Sequence, residues 1–383
     1  MNRFALSDEQ VLIRDSVAKF VKDDYAFNRR LEIIEAPTGH DEAHWKRFAD
    51  LGWLGLPFPE RYGGQDGTPR DLAVIMEQFG RGLVVGPYFS TVVLGGHAIL
   101  FGGSETQKAA ILPRIANGTL KVTLAHDEAG SRYRLDAIAT RAKRDGDAYR
   151  LEGAKVAVPF AAVAGEIVLS ARTSGEPGDP SGITLFKVKA DAPGLSAAHY
   201  RTHDGGAASN LSLEGVRVSP EDVIGPVGEG LPILEKTVDH AIAALAAEGV
   251  GCMWSICDLT NAYFKTREQF GQAIGKFQAL QHRLVDLYVK CQLAQSMAGE
   301  ALDALARTNA AERAKGISGA KVIIGRYGRE IGEEGVQLHG GIGMTREYPV
   351  GHYFKRLTLI NLAFGDVNFH LERYRQLLRE AKP

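Results

Sequence analysis

Residues 267–278 read Arg-Glu-Gln-Phe-Gly-Gln-Ala-Ile-Gly-Lys-Phe-Gln, and residues 337–349 read Gln-Leu-His-Gly-Gly-Ile-Gly-Met-Thr-Arg-Glu-Tyr-Pro. In the first stretch Arg267 stands at the end of a long helical pattern. A guanidinium at a helix end can donate two hydrogen bonds to a diphosphate. In the second, Gln337 offers an amide donor, and two glycines allow a close approach of backbone to a ligand. Taken separately, Arg267 is an ordinary solvated helix-end charge and Gly-Gly an ordinary helix end. Only the two complete patterns together indicate a ligand site.

The composition is that of an ordinary soluble globular protein. The chain has 383 residues, 45% of them hydrophobic and 24% charged, with a formal net charge of -1. That length allows two or three domains with their own cores. The near-zero charge gives no electrostatic reason to expect a nucleic-acid partner or an anionic membrane surface.

The chain shows no sign of secretion, membrane insertion or metal binding. Met1–Gln10 lacks the apolar core of a signal peptide, and we see no apolar run that approaches the roughly 18 residues of a membrane span. The three cysteines, Cys252, Cys257 and Cys291, have neither disulfide-framework nor metal-ligand spacing. We therefore expect a cytoplasmic protein without a metal.

The texture of the sequence changes twice, which predicts three domains. Residues 1–119 have helical patterns, beginning with a possible capping box at Ser7–Gln10. Residues 120–229 contain short β-rich runs separated by turn signals, which indicates a small antiparallel sheet or barrel. Residues 230–383 return to helical patterns (Leu231–Thr266, Leu280–Thr308, Ala311–His339 and a tail from Val367), typical of a four-helix bundle. The fold class is thus α+β, mainly α.

This order of domains, together with the two quoted stretches, resembles the acyl-CoA dehydrogenase family over essentially the whole chain. Two smaller features agree: Pro59-Glu-Arg-Tyr-Gly-Gly64, and the Gly153-Ala-Lys155 turn. Within the family, the pairing of Val350–Arg356 with Phe364-Gly-Asp366 is most similar to the small subunit of pimeloyl-CoA dehydrogenase.

The resemblance implies a cofactor, a reaction and partners. It implies FAD, held at its adenine-diphosphate end across a subunit interface formed by the helical bundle. The residues implied are Arg267, Gln269, Phe270, Gln278, Gln337, Gly340 and Gly341. It also implies α,β-desaturation of an acyl-CoA thioester, with electrons passed to an electron-transfer flavoprotein, in a homo-oligomer or with a homologous large subunit in an α2β2 assembly.

The usual catalytic base is missing from the sequence. Removal of the α-proton needs a carboxylate, but the family's usual Glu position holds Phe364, and the alternative position on the long helix holds Ala241. Glu248 lies two helical turns beyond Ala241 in an apolar stretch and is a candidate base; the alternative is an ion pair with a neighbouring helix. Asp366 is a second candidate, at a position where relatives contact FAD.

The β-domain also departs from the family. His126-Asp-Glu-Ala129 replaces a Met-Thr-Glu-Pro loop, although Ser131 could still serve the flavin, and Ala157 and Pro159 replace the Trp and Thr that approach the flavin ring. The diphosphate half of the site is thus kept while the ring half is altered. Three hypotheses follow: a catalytic subunit with a rewired base, a non-catalytic subunit that completes a partner's FAD site, and a same-fold flavin monooxygenase, which the diphosphate signature disfavours.

The substrate is only loosely bounded by the sequence. Small side chains on the long helix would leave space for a bulky, dicarboxylic or ring-bearing acyl group; they are Ala241, Ala243, Ala244, Ala246 and Ala247.

Overall fold

The computed structural model describes residues 6–380, so the prediction about a signal peptide, which rests on Met1–Gln10, lies partly outside the described residues. The chain forms two compact units. One comprises residues up to 31, residues 69–84 and residues from 242 onward; the other comprises residues 32–68 and 85–241. The three predicted domains, 1–119, 120–229 and 230–383, stay a prediction.

The helices and strands alternate in three blocks along the chain. The helices are α1 (Asp8–Asp23), α2 (Phe27–Glu35), α3 (Glu42–Asp50), α4 (Pro69–Gly82), α5 (His97–Gly102), α6 (Glu105–Ala116), α7 (Gly230–Thr266), α8 (Gln278–Leu305), α9 (Ala310–His339), α10 (Val350–Leu362) and α11 (Val367–Glu380). The strands are β1 (Val122–Ala125), β2 (Arg141–Asp145), β3 (Ala148–Pro159), β4 (Glu166–Arg172), β5 (Ile183–Lys189), β6 (Leu195–Arg201), β7 (Ala207–Val218), β8 (Val223–Ile224), β9 (Glu268–Gln269) and β10 (Gln272–Ala273).

The predicted capping box is present at the start of α1. The Ser7 hydroxyl accepts from the Gln10 amide at 3.2 Å, and the Ser7 amide donates to Gln10 Oε1 at 3.1 Å. These two bonds satisfy backbone donors that a helix start leaves unpaired. Val17 and Phe20 are buried as their helical spacing predicts, and α1 packs on α4.

Helix α9 is the centre of the C-terminal helices, because α8, α10 and α11 all pack against it. Helices α7, α8 and α9 begin and end within three residues of the predicted limits, and α11 begins at the predicted Val367. Helix α10 was not predicted, although Val350, Tyr353, Leu357 and Ile360 are buried at helical spacing. Its short apolar face is easily missed beside the glycine-rich stretch that precedes it.

Helices α4 and α7 approach each other closely through two glycines. A Cβ added at Gly80 would lie 2.0 Å from the Glu248 carbonyl oxygen, and one added at Gly251 would lie 2.0 Å from the Glu77 carbonyl oxygen. The backbones are therefore too close for any other residue at either position.

The sheet is mixed rather than purely antiparallel. Seven strands follow the order β6-β7-β3-β2-β4-β5-β8, and β1 pairs with β4. The pairs β1–β4 and β2–β4 are parallel, and the other pairs of this sheet are antiparallel. Its core is built from apolar side chains such as Leu151, Leu169, Phe186 and Leu211.

Helix α7 differs from the expectation that no segment could span a membrane. The helix has 37 residues, and its most apolar 18-residue window is apolar enough to do so, but 78% of that window is buried inside the protein. This is also the behaviour of the core helix of a soluble protein.

Candidate functional site

The first quoted stretch forms an exposed hairpin between α7 and α8. Arg267 follows the last residue of α7, and its carbonyl accepts a hydrogen bond from the Ile274 amide at 2.8 Å, which closes the loop. Within the loop, Gln269 pairs with Gln272, and Phe270 is 92% exposed with φ at 54°. Gln278 is the first residue of α8 and is exposed.

The second stretch ends α9 and leaves open space at its glycines. Gln337 is exposed in the last turn of α9. Among the described residues, and apart from the neighbours in the chain, no heavy atom lies within 4 Å of a Cβ built at Gly340 or Gly341, and Gly340 has φ of 62°. A ligand can therefore come close to the backbone at this point.

Three aromatic rings, tilted against one another, pack where the end of α7 meets the second stretch. The His339 ring lies 4.8 Å from Tyr263 and 5.0 Å from Tyr348, measured between centroids, and His339 Nδ1 bonds the Gly335 carbonyl at 2.7 Å. Burial lowers the pKa of His339, so the ring is neutral at pH 7. These contacts give His339 a packing role, and they bring the ends of α7 and α9 together.

A charged groove between α8 and α9 ends at Gln337. It is lined by Arg283, Asp286, Leu287, Lys290, Glu330, Glu333, Glu334 and Gln337. Its cations are paired across the groove: Arg283 Nη2 donates to Glu334 Oε2 at 2.8 Å, and Lys290 Nζ lies 3.0 Å from Glu330 Oε2. Arg283 was not singled out from the sequence, since its partner is 51 residues away.

The altered loop at 126–129 is fixed to the sheet by a buried ion pair. Lys155 Nζ donates to Glu128 Oε1 at 2.6 Å and to Ser170 Oγ at 3.0 Å. Burial lowers the pKa of Lys155. Burial alone would raise the pKa of Glu128, but Lys155 and hydrogen bonds from residues 139 and 140 outweigh it and hold that pKa below its ordinary value. Glu128 is thus engaged in a structural contact with Lys155.

The backbone at Ala157 is turned to a partner inside the sheet. Ala157 lies at a register shift between β3 and β7 and has φ of 53°. Its amide donates to Asn210 Oδ1 at 3.1 Å, and the Tyr200 hydroxyl bonds the same oxygen at 3.4 Å. This amide is therefore occupied by a side chain of the same unit.

Of the two candidate bases, Glu248 lies in an ion pair. Arg356 of α10 donates to both of its oxygens, Nε to Oε1 at 2.6 Å and Nη2 to Oε2 at 2.7 Å. The Glu248 side chain is 5% exposed and that of Arg356 is 26% exposed. This is the ion pair with a neighbouring helix that the sequence left as the alternative, and it takes up one lone pair on each carboxylate oxygen.

The second candidate, Asp366, caps a helix. Its Oδ1 accepts from the Phe369 amide at 2.9 Å at the start of α11. Ala241, the alternative family position, is buried. The roles proposed for Glu248 and Asp366 as bases stay predictions.

Position 364 lies in a turn between α10 and α11 that two buried side chains hold. Lys321 Nζ donates to the carbonyls of Ile360, Asn361 and Gly365. His370 Nε2 bonds the Phe364 carbonyl at 2.9 Å. Neither residue was singled out from the sequence; the one available signal was a single lysine inside the apolar run Ile317–Ile324.

Comparison with known proteins agrees with this geometry. Models for the N-terminal and C-terminal domains of acyl-CoA dehydrogenase match residues 7–119 and 228–376. Probable acyl-CoA dehydrogenase fadE25 of Mycobacterium bovis is 30% identical over 372 residues, 94% of this chain and 93% of the relative. The chain belongs to the acyl-CoA dehydrogenase family.

Two further members of the acyl-CoA dehydrogenase fold are informative. Caffeyl-CoA reductase-Etf complex subunit CarC of Acetobacterium woodii is 28% identical over 94% of this chain and 95% of that protein. A solved variant of the Tcur3481-Tcur3483 steroid ACAD has a TM-score of 0.87 at 31% identity, covering 97% of this chain and 98% of that chain. The closer likeness to a pimeloyl-CoA dehydrogenase small subunit stays a prediction.

Acyl-CoA dehydrogenases are FAD-dependent oxidoreductases, and the residues present fit the diphosphate end of FAD. Arg267, Gln269, Gln278 and Gln337 are exposed donors, and Gly340 and Gly341 border open space. A guanidinium, amides and accessible backbone are the groups that bind diphosphates. Which of these side chains contacts FAD stays a prediction.

Proposed function

We propose that this chain is one subunit of a heteromeric FAD-dependent acyl-CoA dehydrogenase, and that a homologous partner chain supplies the catalytic base. One observation carries the proposal: neither familiar position holds a carboxylate, and both candidate carboxylates are engaged. Phe364 and Ala241 occupy the two positions, Glu248 accepts two hydrogen bonds from Arg356, and Asp366 caps α11.

The reaction proposed for the assembly is α,β-desaturation of an acyl-CoA thioester. FAD, when bound, accepts the hydride that leaves the β-carbon. A carboxylate must take the α-proton in the same reaction. In this chain the Arg267 guanidinium would neutralise the diphosphate, and the amides of Gln278 and Gln337 would orient it. These contacts would fix the cofactor without touching the reacting carbons.

The contrast between the two halves of the site supports a shared cofactor. The residues of the diphosphate half are exposed and available to a molecule outside the chain. In the ring half, Glu128 is tied to Lys155, and the Ala157 amide is occupied by Asn210. A chain built in this way can complete the FAD site of a neighbour while contributing little to a flavin ring of its own.

An exposed apolar stripe on α8 supports an interface on the helical bundle. Four large side chains at helical spacing face away from the protein: Val285, Tyr288, Val289 and Leu293, between 47% and 58% exposed. Contiguous apolar surface of this kind marks interaction sites. The proposed occupant is the homologous subunit, and the name of the Tcur3481-Tcur3483 steroid ACAD, which joins two proteins, supports a two-chain assembly.

The proposed substrate carries a bulky, ring-bearing acyl group, and the proposed electron acceptor is an electron-transfer flavoprotein. The first rests on the names of the steroid ACAD and of caffeyl-CoA reductase, and on the five small side chains of α7. The second rests on the Etf complex named for CarC. A flavin monooxygenase needs no α-proton base, so the engaged carboxylates leave it as a second candidate.

The test is the visible spectrum of the chain purified alone and co-purified with a homologous chain. We expect bound flavin, bleached by a ring-bearing acyl-CoA such as 3-phenylpropanoyl-CoA, only in the co-purified assembly. Arg267→Met should lower its flavin content at least tenfold, whereas Arg329→Met, an exposed change on α9, should not. A yellow chain that bleaches alone would refute the pairing role, and flavin-dependent oxygen consumption without bleaching would favour the monooxygenase.

A further inference from the structure

Phe364 adopts a backbone conformation that bulky residues avoid. Its φ is 57°, in the left-handed region, and the following Gly365 has φ of 114°. For an aromatic residue this conformation is an outlier that persists only where the surroundings enforce it. Residues 363, 364, 365 and 366 form the 363–366 turn. Contacts with other residues must therefore stabilise this turn, because the intrinsic conformational preference of Phe364 does not.

Lys321 supplies one part of that support. Its side chain is 1% exposed, and its ammonium donates to the carbonyls of Ile360 and Asn361 at 2.7 Å each and of Gly365 at 2.9 Å. The first two carbonyls belong to the end of α10, where helix carbonyls lack internal partners. One ammonium thus ties the end of α10 to the turn and uses all three of its N–H groups.

His370 supplies the other part. The Phe364 carbonyl can only accept, so His370 Nε2 carries the proton of the 2.9 Å hydrogen bond, and Nδ1 accepts from the Ser318 hydroxyl at 3.2 Å. Burial lowers the pKa of His370 to about 3, which keeps this neutral tautomer over the physiological range. Ser318 and Lys321 lie one turn apart on α9, so both supports are anchored on the same helix.

We propose that Lys321 and His370 are positioning residues for the 363–366 turn, and that together they present the side chain at position 364 in a fixed place that still accepts a carboxylate as base. The inference rests on the proposed function, because it assigns position 364 to proton abstraction from an acyl-CoA. Lys321 and His370 thus stabilise the turn although the side chain at position 364 is a phenyl ring. Burying a lysine and straining an aromatic residue are both costly, which argues against a turn that merely connects two helices.

The charge of Lys321 makes the positioning measurable. Burial lowers the pKa of Lys321 to about 7, against a smaller opposing effect of Asp366. The other charged or titratable groups facing the network are His370, neutral above pH 5, and Arg373. A neutral amine has two N–H groups for three carbonyls, so the turn should loosen as pH rises through about 7.

The first experiment needs neither flavin nor substrate. 4-Fluorophenylalanine is placed at position 364 in the full chain, and its fluorine resonance is followed from pH 5.5 to 9.5. We expect a shift with a midpoint near pH 7 that is absent in Lys321→Met. At fixed pH, His370→Gln, which keeps a donor near Nε2, should preserve the resonance that His370→Leu displaces. A resonance that is flat with pH and insensitive to both His370 variants would overturn the positioning role.

The second experiment tests the presented place itself. Phe364→Glu is compared with wild type for exchange of the α-protons of 3-phenylpropanoyl-CoA in D2O, in the co-purified assembly whose partner base is replaced by Gln. We expect exchange at least tenfold above wild type, lost again with Lys321→Met or His370→Leu and retained with His370→Gln. No gain despite demonstrated binding of the thioester would overturn the inference and leave the proposed function standing. Absence of thioester binding would contradict the proposed function, and the fluorine measurement would then decide the positioning role alone.

Discussion

Glu248 and Arg356, 108 residues apart in the chain, form a two-bond ion pair between α7 and α10, with both bonds under 2.8 Å. Removing one partner leaves the other without this ion pair in a poorly solvated place. We expect Glu248→Gln to lower the free energy of unfolding by about 2 kcal/mol or more, measured by denaturant titration. The exposed pair Arg329–Glu333 is the control, and Glu333→Gln should cost under about 0.5 kcal/mol.

The same variant tests the catalytic alternative. If Glu248 is structural, Arg356→Met should destabilise about as much as Glu248→Gln, and the assembly should keep its turnover per folded protein. Loss of turnover in Glu248→Gln alone, with Arg356→Met active, would show instead that Glu248 is the base.

The crossing of α4 and α7 should not tolerate a single methyl group. In Gly80→Ala the new Cβ would meet the Glu248 carbonyl at 2.0 Å, so the helices must separate. We expect a loss of about 2–3 kcal/mol in the free energy of unfolding. Gly319→Ala on α9 is the matched control: its nearest neighbour would lie at 3.4 Å, and the better helix propensity of alanine should stabilise by about 0.5–1 kcal/mol. Equal effects at the two sites would contradict the close crossing.

Lys321 should make stability rise with pH on the alkaline side. Its folded pKa of about 7 lies below the 10.5 of a free lysine. Between these values the unfolded chain binds a proton that the folded chain does not, so unfolding becomes harder as pH rises. Relative to Lys321→Met, wild type should gain up to about 1.4 kcal/mol per pH unit between pH 7 and 10. A constant difference over that range would show that Lys321 is charged throughout. Lys276→Met, at an exposed position, is the control.

Four buried imidazoles should make the protein sensitive to acid. Burial lowers the pKa of His40 and His126 to about 4 and that of His97 and His370 to about 3. Each takes up a proton on unfolding below pH 6.5, so stability should fall as pH drops from 6.5 toward 4, by about 1.4 kcal/mol per unit for each group. His97→Asn, whose amide can still donate to the Val93 carbonyl, should reduce this slope by about 1.4 kcal/mol per pH unit, the contribution of one proton. His282→Asn, at an exposed position, should leave it unchanged.

The sequence was sufficient where a pattern is local and repeated. The limits of α7 and α9 follow from long helical periodicity, and the Ser7–Gln10 capping box follows from residue types three positions apart. Strands β3, β4, β5 and β7 also lie where β-rich runs alternate with turn signals. Each of these signals is contained in one segment, so no knowledge of the rest of the fold is needed.

What was missed depends on residues distant in the chain. Lys321 is recognisable as a support only once the carbonyls near residue 360 are known to lie beside it, and Arg356 as the partner of Glu248 only once α10 lies against α7. The parallel pairing of β1 with β4 is likewise a property of the sheet, not of either strand. A single sequence states which residues can form such contacts but not which of them meet.

The packing of Tyr263 and Tyr348 against the His339 ring has a practical consequence. These rings connect the segments that carry Arg267 and Gln337. A molecule that bridges those two side chains would therefore shift the two tyrosines relative to His339. Near-ultraviolet circular dichroism responds to such coupled aromatic rings. Titration with inorganic pyrophosphate, which does not absorb in the near ultraviolet, would then report on the diphosphate part of the cofactor site through a signal that the protein itself provides.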